Sequence, residues 1–139
     1  MLPHSPEPVT VVILDDDPVL VSALSRMLHD GLQLIVAGFT EGGAAMEWLS
    51  HHDASLLITD NLMPGPTGLD VVRWLRAQPN HFAMPVLMLA GVPSVDLANA
   101  ALAVGVTRLI GKPIRAADFL REVQHLLLPL PPAPTPTPG

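Results

Sequence analysis

The sequence predicts an α/β protein in which helices cover both faces of a five-stranded parallel sheet. Five short apolar runs alternate with five segments of helical periodicity, an order typical of repeated βα units. The runs are rich in β-branched and aliphatic residues without polar alternation, as expected for strands buried on both faces. Five such units in a chain of 139 residues fit a doubly wound, flavodoxin-like sheet with strand order 2-1-3-4-5.

Local signals set the bounds of the elements. Asp17 followed by Pro18 predicts an N-cap and a first-turn proline at the start of the first helix. Gly31 and Gly105 predict the ends of the first and fourth helices. The predicted strands are residues 9–14, 34–39, 55–59, 86–90 and 107–111, and the predicted helices are residues 18–29, 43–51, 66–77, 94–104 and 115–128.

Composition indicates one globular domain and excludes several functional classes. The chain is 49% hydrophobic and 14% charged, so it can bury a core. A net charge of −6 with scattered basic residues argues against nucleic-acid binding by this domain. The absence of cysteine excludes disulfides and thiol chemistry and is consistent with a cytoplasmic location. No apolar run is long enough to span a membrane.

The two ends of the chain differ from its middle. Residues 1–8 contain three prolines and no apolar core. They are predicted to be a disordered segment rather than a signal peptide. Residues 9–128 form the predicted domain. Residues 129–139 include six prolines and are expected to be extended, either as a linker to a further domain or as a terminal stalk.

Charged residues follow three of the predicted strands. Asp15 and Asp16 end the first apolar run, Asp60 ends the third, and Lys112, the only lysine of the chain, ends the fifth. Because the carboxyl ends of parallel strands meet at one edge of the sheet, these side chains are expected to converge. Carboxylates around a single ammonium favour a metal-assisted phosphoryl-transfer site with an aspartate nucleophile.

The order and spacing of these motifs resemble the receiver domain of bacterial two-component response regulators. The shared parts are the acidic pair after strand one, Asp60 with the following Met63-Pro64-Gly65 and Gly68, and Lys112-Pro113 after strand five. The resemblance covers residues 9–128. It implies a signalling domain rather than an enzyme, and a cis peptide bond between Lys112 and Pro113.

The resemblance also implies a role for each site residue. Asp60 would be the phosphoacceptor, receiving its phosphoryl group from a sensor histidine kinase or a phosphotransfer protein. Asp16 and Asp60 would bind Mg²⁺ directly, Asp15 mainly through water, and the backbone carbonyl of Leu62 would be a further ligand. Lys112 would contact the phosphoryl oxygens. Oxygen ligands of this kind are those that Mg²⁺ prefers.

Two kinds of partner surface follow from the same resemblance. The resemblance allows a homodimer through helix four, strand five and helix five. It also allows an output domain after the proline-rich tail, if that tail is a linker, as well as a stand-alone receiver. Helix four is poor in charge, with Asp96 as its one charged residue. Its surplus of apolar residues is either a scattered exposure without function or a partner surface.

The sequence departs from the family at two positions. Ala90 replaces the usual Thr or Ser at the end of strand four, and Leu109 replaces the usual aromatic residue before the lysine. Both halves of the usual conformational switch are therefore missing, and phosphorylation is expected to couple weakly, or by another route, to the surface of strand four and helix four. The positions that usually flank the attacking water are Leu62 and Val92, both apolar, which predicts a phosphoryl group that lasts longer than in receivers with polar residues there.

Two other functions compete with this interpretation. A pseudo-receiver would keep the fold and bind partners without phosphorylation, as Ala90 and Leu109 favour and the retained carboxylates and lysine oppose. A haloacid-dehalogenase-like phosphatase would use Asp15 as nucleophile and Asp17 as general acid. Against it, no paired acids follow Lys112, and the chain has no room for a substrate cap.

Overall fold

The computed structural model describes residues 8–128. Its five strands are parallel and lie in the order β2-β1-β3-β4-β5, which confirms the predicted fold and strand order. The elements are β1 Thr10–Leu14, α1 Pro18–Leu32, β2 Ile35–Phe39, α2 Gly42–Leu49, β3 Leu56–Asp60, α3 Gly68–Arg76, β4 Val86–Ala90, α4 Val95–Val104, β5 Arg108–Gly111 and α5 Ala116–Leu127. The predicted tail, residues 129–139, and all but the last residue of the segment 1–8 lie outside the described residues.

Two apolar layers bury the central strands on both faces. Helices α1 and α5 cover one face, and α2, α3 and α4 cover the other. Every residue of β3 and β4 is buried as a result. On the α1/α5 face the strands contribute Val11, Ile13, Leu56, Ile58, Leu87, Leu89 and Ile110. Side chains alternate along a strand, so this pattern also directs Asp15, Asp60 and Lys112 to the α1/α5 face.

The end of α1 differs from the prediction. The helix continues to Leu32 instead of ending at Gly31. Gln33 is the C-cap instead, with a left-handed φ of 54°. A Cβ added to Gly31 would lie 3.1 Å from Cδ1 of Leu120, so this glycine allows α1 and α5 to pack closely. The prediction that Gly31 ends α1 was therefore wrong, because this glycine lies at the contact between α1 and α5.

The start of α3 also differs from the prediction. The helix begins at Gly68, two residues later than expected, because Thr67 is its N-cap. The Thr67 hydroxyl accepts the Asp70 N–H at 3.2 Å, and the Asp70 carboxylate accepts the Thr67 N–H at 3.0 Å. Gly105 ends α4 with a φ of 94°, as predicted. Within residues 8–128, none of the helices has both the length and the apolar character that crossing a bilayer requires.

Candidate functional site

The carboxylates predicted to converge do so at the carboxyl ends of β1 and β3. One oxygen from each of Asp15, Asp16 and Asp60 lies within 4.8 Å of the other two. Asp15 and Asp60 are buried, whereas Asp16 is exposed. Asp60 is the last residue of β3, one position later than the predicted strand end. The cluster is therefore a partly sheltered acidic site that opens to solvent on the side of Asp16.

Lys112 joins this cluster from the end of β5. Its Nζ donates to Oδ2 of Asp15 at 2.8 Å and lies 3.6 Å from Oδ2 of Asp60. Its backbone N–H donates to the carbonyl of Ala90 at 2.8 Å, which ties it to the end of β4. The peptide bond to Pro113 is cis, as the resemblance implied. The ammonium thus lies between two carboxylates that arise from different strands.

The ammonium and the Asp60 carboxylate have perturbed pKa values. Burial acts to lower the pKa of Lys112, but its hydrogen bond to Asp15 and the charges of Asp15 and Asp60 outweigh that effect and raise it. Burial raises the pKa of Asp60, against the opposing effect of the Lys112 charge, and the Asp15 charge adds to the rise. Lys112 is therefore charged at neutral pH, and a second cation near Asp60 would be stabilising.

The donor set of this cluster fits Mg²⁺. Three carboxylates supply hard oxygen ligands, and the exposed side at Asp16 leaves room for the waters that Mg²⁺ retains. Lys112 neutralises only part of the acidic charge. Leu62 lies two residues beyond Asp60 in the β3–α3 loop, and its side chain is 73% exposed.

A depression of about 190 Å³ adjoins Asp60 on the side of β4. Its lining comprises Asp60, Asn61, Leu62, Ala90, Gly91, Val92 and Leu97. Ala90 is buried at the end of β4, whereas the side chain of Val92 is 82% exposed. Among these lining residues, no side chain carries a hydroxyl group. A methyl group thus occupies the position at which the resemblance places the switch hydroxyl.

Leu109 lies apart from the carboxylates. It pairs with Met88 across the sheet and packs, partly buried, against the α2/α3/α4 layer. Lys112 lies on the opposite face, three positions further along the chain. Leu109 therefore lies on the face of the sheet opposite Lys112, in the apolar layer beneath α2, α3 and α4.

Asn61 is a site residue that the sequence reasoning missed. Its backbone N–H donates to Oδ1 of Asp60 at 2.8 Å, and its side-chain oxygen accepts the Leu69 N–H at 3.3 Å. An asparagine between the end of a strand and the start of a helix could have indicated this role, because asparagine commonly accepts hydrogen bonds from the first amides of a helix. Asp17, by contrast, accepts the Val19 N–H at 3.0 Å and is the N-cap that was predicted.

Comparisons with known proteins agree with this geometry. The family model described as the response regulator receiver domain matches residues 11–124. The cyclic di-GMP phosphodiesterase response regulator RpfG of Xanthomonas campestris is 31% identical over 120 residues, which are 86% of this chain and 32% of the relative. The chemotaxis protein CheY of Pseudomonas aeruginosa is 28% identical over 116 residues, covering 84% of this chain and 94% of the relative.

Solved structures give the same result. The crystal structure of chemotaxis protein CheY4 of Vibrio cholerae superposes with a TM-score of 0.82 at 27% identity, covering 86% of this chain and 99% of that one. Several curated relatives are longer than the matched region. The chain spans about a third of the length of RpfG and 56% of FixJ of Azorhizobium caulinodans.

Proposed function

Since this chain belongs to the response regulator receiver domain family, we propose that it accepts a phosphoryl group on Asp60. The donor is the phosphohistidine of a sensor histidine kinase or a phosphotransfer protein. The observation that carries the proposal is the position of Lys112 Nζ, 2.8 Å from Asp15 and 3.6 Å from Asp60, beside a cluster of three carboxylates. This arrangement pairs a nucleophile with a fixed positive charge.

Each residue has a distinct task in the proposed transfer. The Asp60 oxygen nearest Lys112 forms the new O–P bond as the donor's P–N bond breaks, and the released imidazole takes a proton from solvent. Lys112 directs its charge to the phosphoryl oxygens, while Asp15 holds the ammonium in place. Asp16, Asp60 and the Leu62 carbonyl would hold Mg²⁺ directly and Asp15 would hold it through water, and the ion would supply further positive charge.

Labelling with a small phosphodonor tests this proposal. Intact mass after treatment with acetyl phosphate should show one phosphoryl group with Mg²⁺ and none when Mg²⁺ is chelated. A receiver domain with a Thr at the end of strand four, treated in parallel, is the positive control. Equal labelling with and without Mg²⁺, or no labelling under conditions that label the control, would refute the proposal.

Apolar residues beside Asp60 should make the phosphoryl group long-lived. The side chains of Leu62 and Val92 are exposed on the two loops that flank the depression and offer no polar atom to orient an attacking water. Leu62→Asn should therefore speed the loss of phosphate at least about tenfold, measured by the decay of labelled protein. Leu102→Asn, at an equally exposed leucine on α4, is the matched control and should leave the rate unchanged.

A second candidate function is a binding module that acts without phosphorylation. The observation that favours it is Ala90, a buried methyl group at the end of β4 where the switch hydroxyl usually lies. Val95 and Leu102 are exposed on α4 and could contact a partner, including a second copy bound through α4, β5 and α5. Intact mass after acetyl phosphate treatment distinguishes the two candidates, since only the first predicts a phosphoryl adduct. Sedimentation of the untreated domain then tests whether a second copy binds.

A further inference from the structure

Asn61 connects the phosphoaccepting carboxylate to the rest of the β3–α3 loop. It follows Asp60 directly and is half-buried. Its backbone N–H donates to Oδ1 of Asp60 at 2.8 Å. Because a hydrogen bond to a carboxylate is directional and charge-assisted, the orientation of the Asn61 peptide constrains the orientation of that carboxylate.

The start of α3 anchors Asn61 at two further atoms. The Gly68 N–H donates to the Asn61 carbonyl at 3.0 Å, and the Leu69 N–H donates to Oδ1 of the Asn61 side chain at 3.3 Å. These are the first two amides of α3, which have no acceptor inside the helix. One residue therefore satisfies two helix amides while its own amide holds Asp60.

Gly68 makes this connection close. A Cβ added there would collide with the carbonyl oxygen of Asp60 and lie 3.0 Å from Cα of Asn61, so α3 begins directly against their peptide. The next helix amide, that of Asp70, is accepted by the Thr67 hydroxyl at 3.2 Å. Thr67 thus caps the same helix turn through bonds to Asp70 rather than to the acidic cluster.

We infer that Asn61 is a positioning residue, which uses the start of α3 to orient the Asp60 carboxylate and the adjacent Leu62 carbonyl for Mg²⁺. The inference rests on the proposed function only in assigning Mg²⁺ to this cluster. Loss of the Asn61 side chain leaves the Leu69 N–H without its acceptor, so the Gly68 N–H alone ties Asn61 to the start of α3. The metal ligands on both sides of Asn61 are then held less rigidly.

Asn61→Ala and Thr67→Ala form a matched pair, since each removes one side-chain acceptor from an amide in the first turn of α3. Both should lower the melting temperature without Mg²⁺ by similar amounts. Only Asn61→Ala should weaken Mg²⁺ binding in a calorimetric titration, by about two- to tenfold, the range that corresponds to one net hydrogen bond. The initial rate of acetyl phosphate labelling at saturating Mg²⁺ should also fall in Asn61→Ala alone.

Equal losses of Mg²⁺ affinity in the two variants, or an unchanged affinity in Asn61→Ala, would overturn the inference and reduce Asn61 to a helix cap. If Asn61→Ala does not fold, Asn61→Ser shortens the acceptor and provides the same comparison. The titration needs no phosphodonor. A wild-type domain that binds Mg²⁺ but takes no phosphoryl group would therefore refute the proposed function while leaving this test valid.

Discussion

Asp60→Asn is expected to abolish Mg²⁺-dependent phosphorylation and, without Mg²⁺, to raise the melting temperature at neutral pH by a few degrees. The first effect follows because the amide is not a competent nucleophile. The second follows because the cluster holds three carboxylates against the single ammonium of Lys112. Removing one of these charges relieves repulsion and the cost of keeping an ionised group in a buried position.

The pH dependence of this stability difference has a definite sign. The pKa of Asp60 in the folded protein is raised above its ordinary value of 3.8, first by burial and then by Asp15, against the opposing effect of Lys112. A raised pKa contributes stability that is fully present below 3.8 and is lost as the pH rises through the folded-state value. The stability of Asp60→Asn relative to the wild type should therefore increase between acid and neutral pH. At low pH the stabilities of the two proteins should converge.

Asp53→Asn is the matched control, because it removes an exposed carboxylate outside the cluster. It should change neither the labelling nor the melting temperature appreciably. Addition of Mg²⁺ should stabilise the wild type and Asp53→Asn and have much less effect on Asp60→Asn, because a ligand stabilises the state that binds it. A lower melting temperature in Asp60→Asn at neutral pH would contradict the electrostatic description of the site.

Ala90→Thr is expected to strengthen the conformational response to phosphorylation by roughly ten- to hundredfold. The hydroxyl would lie in the lining of the depression beside Asp60, where a phosphoryl oxygen could accept its hydrogen bond. A hydrogen bond to a charged group contributes about 1.5–3 kcal/mol. Because this hydrogen bond would form only in the phosphorylated state, it would raise the population of the active conformation by roughly ten- to hundredfold.

Amide NMR spectra during titration with beryllofluoride, a phosphoryl analogue, measure this response on α4. The wild type should show small changes there despite full occupancy of the site, and Ala90→Thr should show larger ones. Ala44→Thr, on the exposed side of α2, is the control for adding a threonine. Wild-type changes on α4 as large as those of a receiver domain with the usual Thr and aromatic residue would refute the weak coupling attributed to Ala90 and Leu109.

The convergence of Asp15, Asp60 and Lys112 could be predicted because it depends on sheet topology and strand periodicity alone. Parallel strands end at one edge, and a period of two directs all three residues to one face. The strand order then brings them within a few ångströms. Short apolar runs in the sequence are sufficient to predict both properties.

The role of Asn61 could not be predicted in the same way. It depends on the path of the β3–α3 loop, which returns the start of α3 to a residue seven positions earlier through the Gly68 N–H. The end of α1 was mispredicted for a similar reason. Gly31 packs against Leu120 of α5, a residue that is distant in the sequence. Local patterns identify elements, whereas contacts between loops and distant helices depend on the assembled fold.

The location of the covalent phosphoryl group tests the proposed role of Asp60 most directly. Borohydride reduction converts an aspartyl phosphate to homoserine, which tandem mass spectrometry of the digested protein can place in the sequence. After acetyl phosphate treatment with Mg²⁺, we predict homoserine at position 60 alone and none in Asp60→Asn. Homoserine at position 15, the nucleophile of the rival phosphatase mechanism, or undiminished labelling of Asp60→Asn would contradict the assignment of Asp60 as the acceptor.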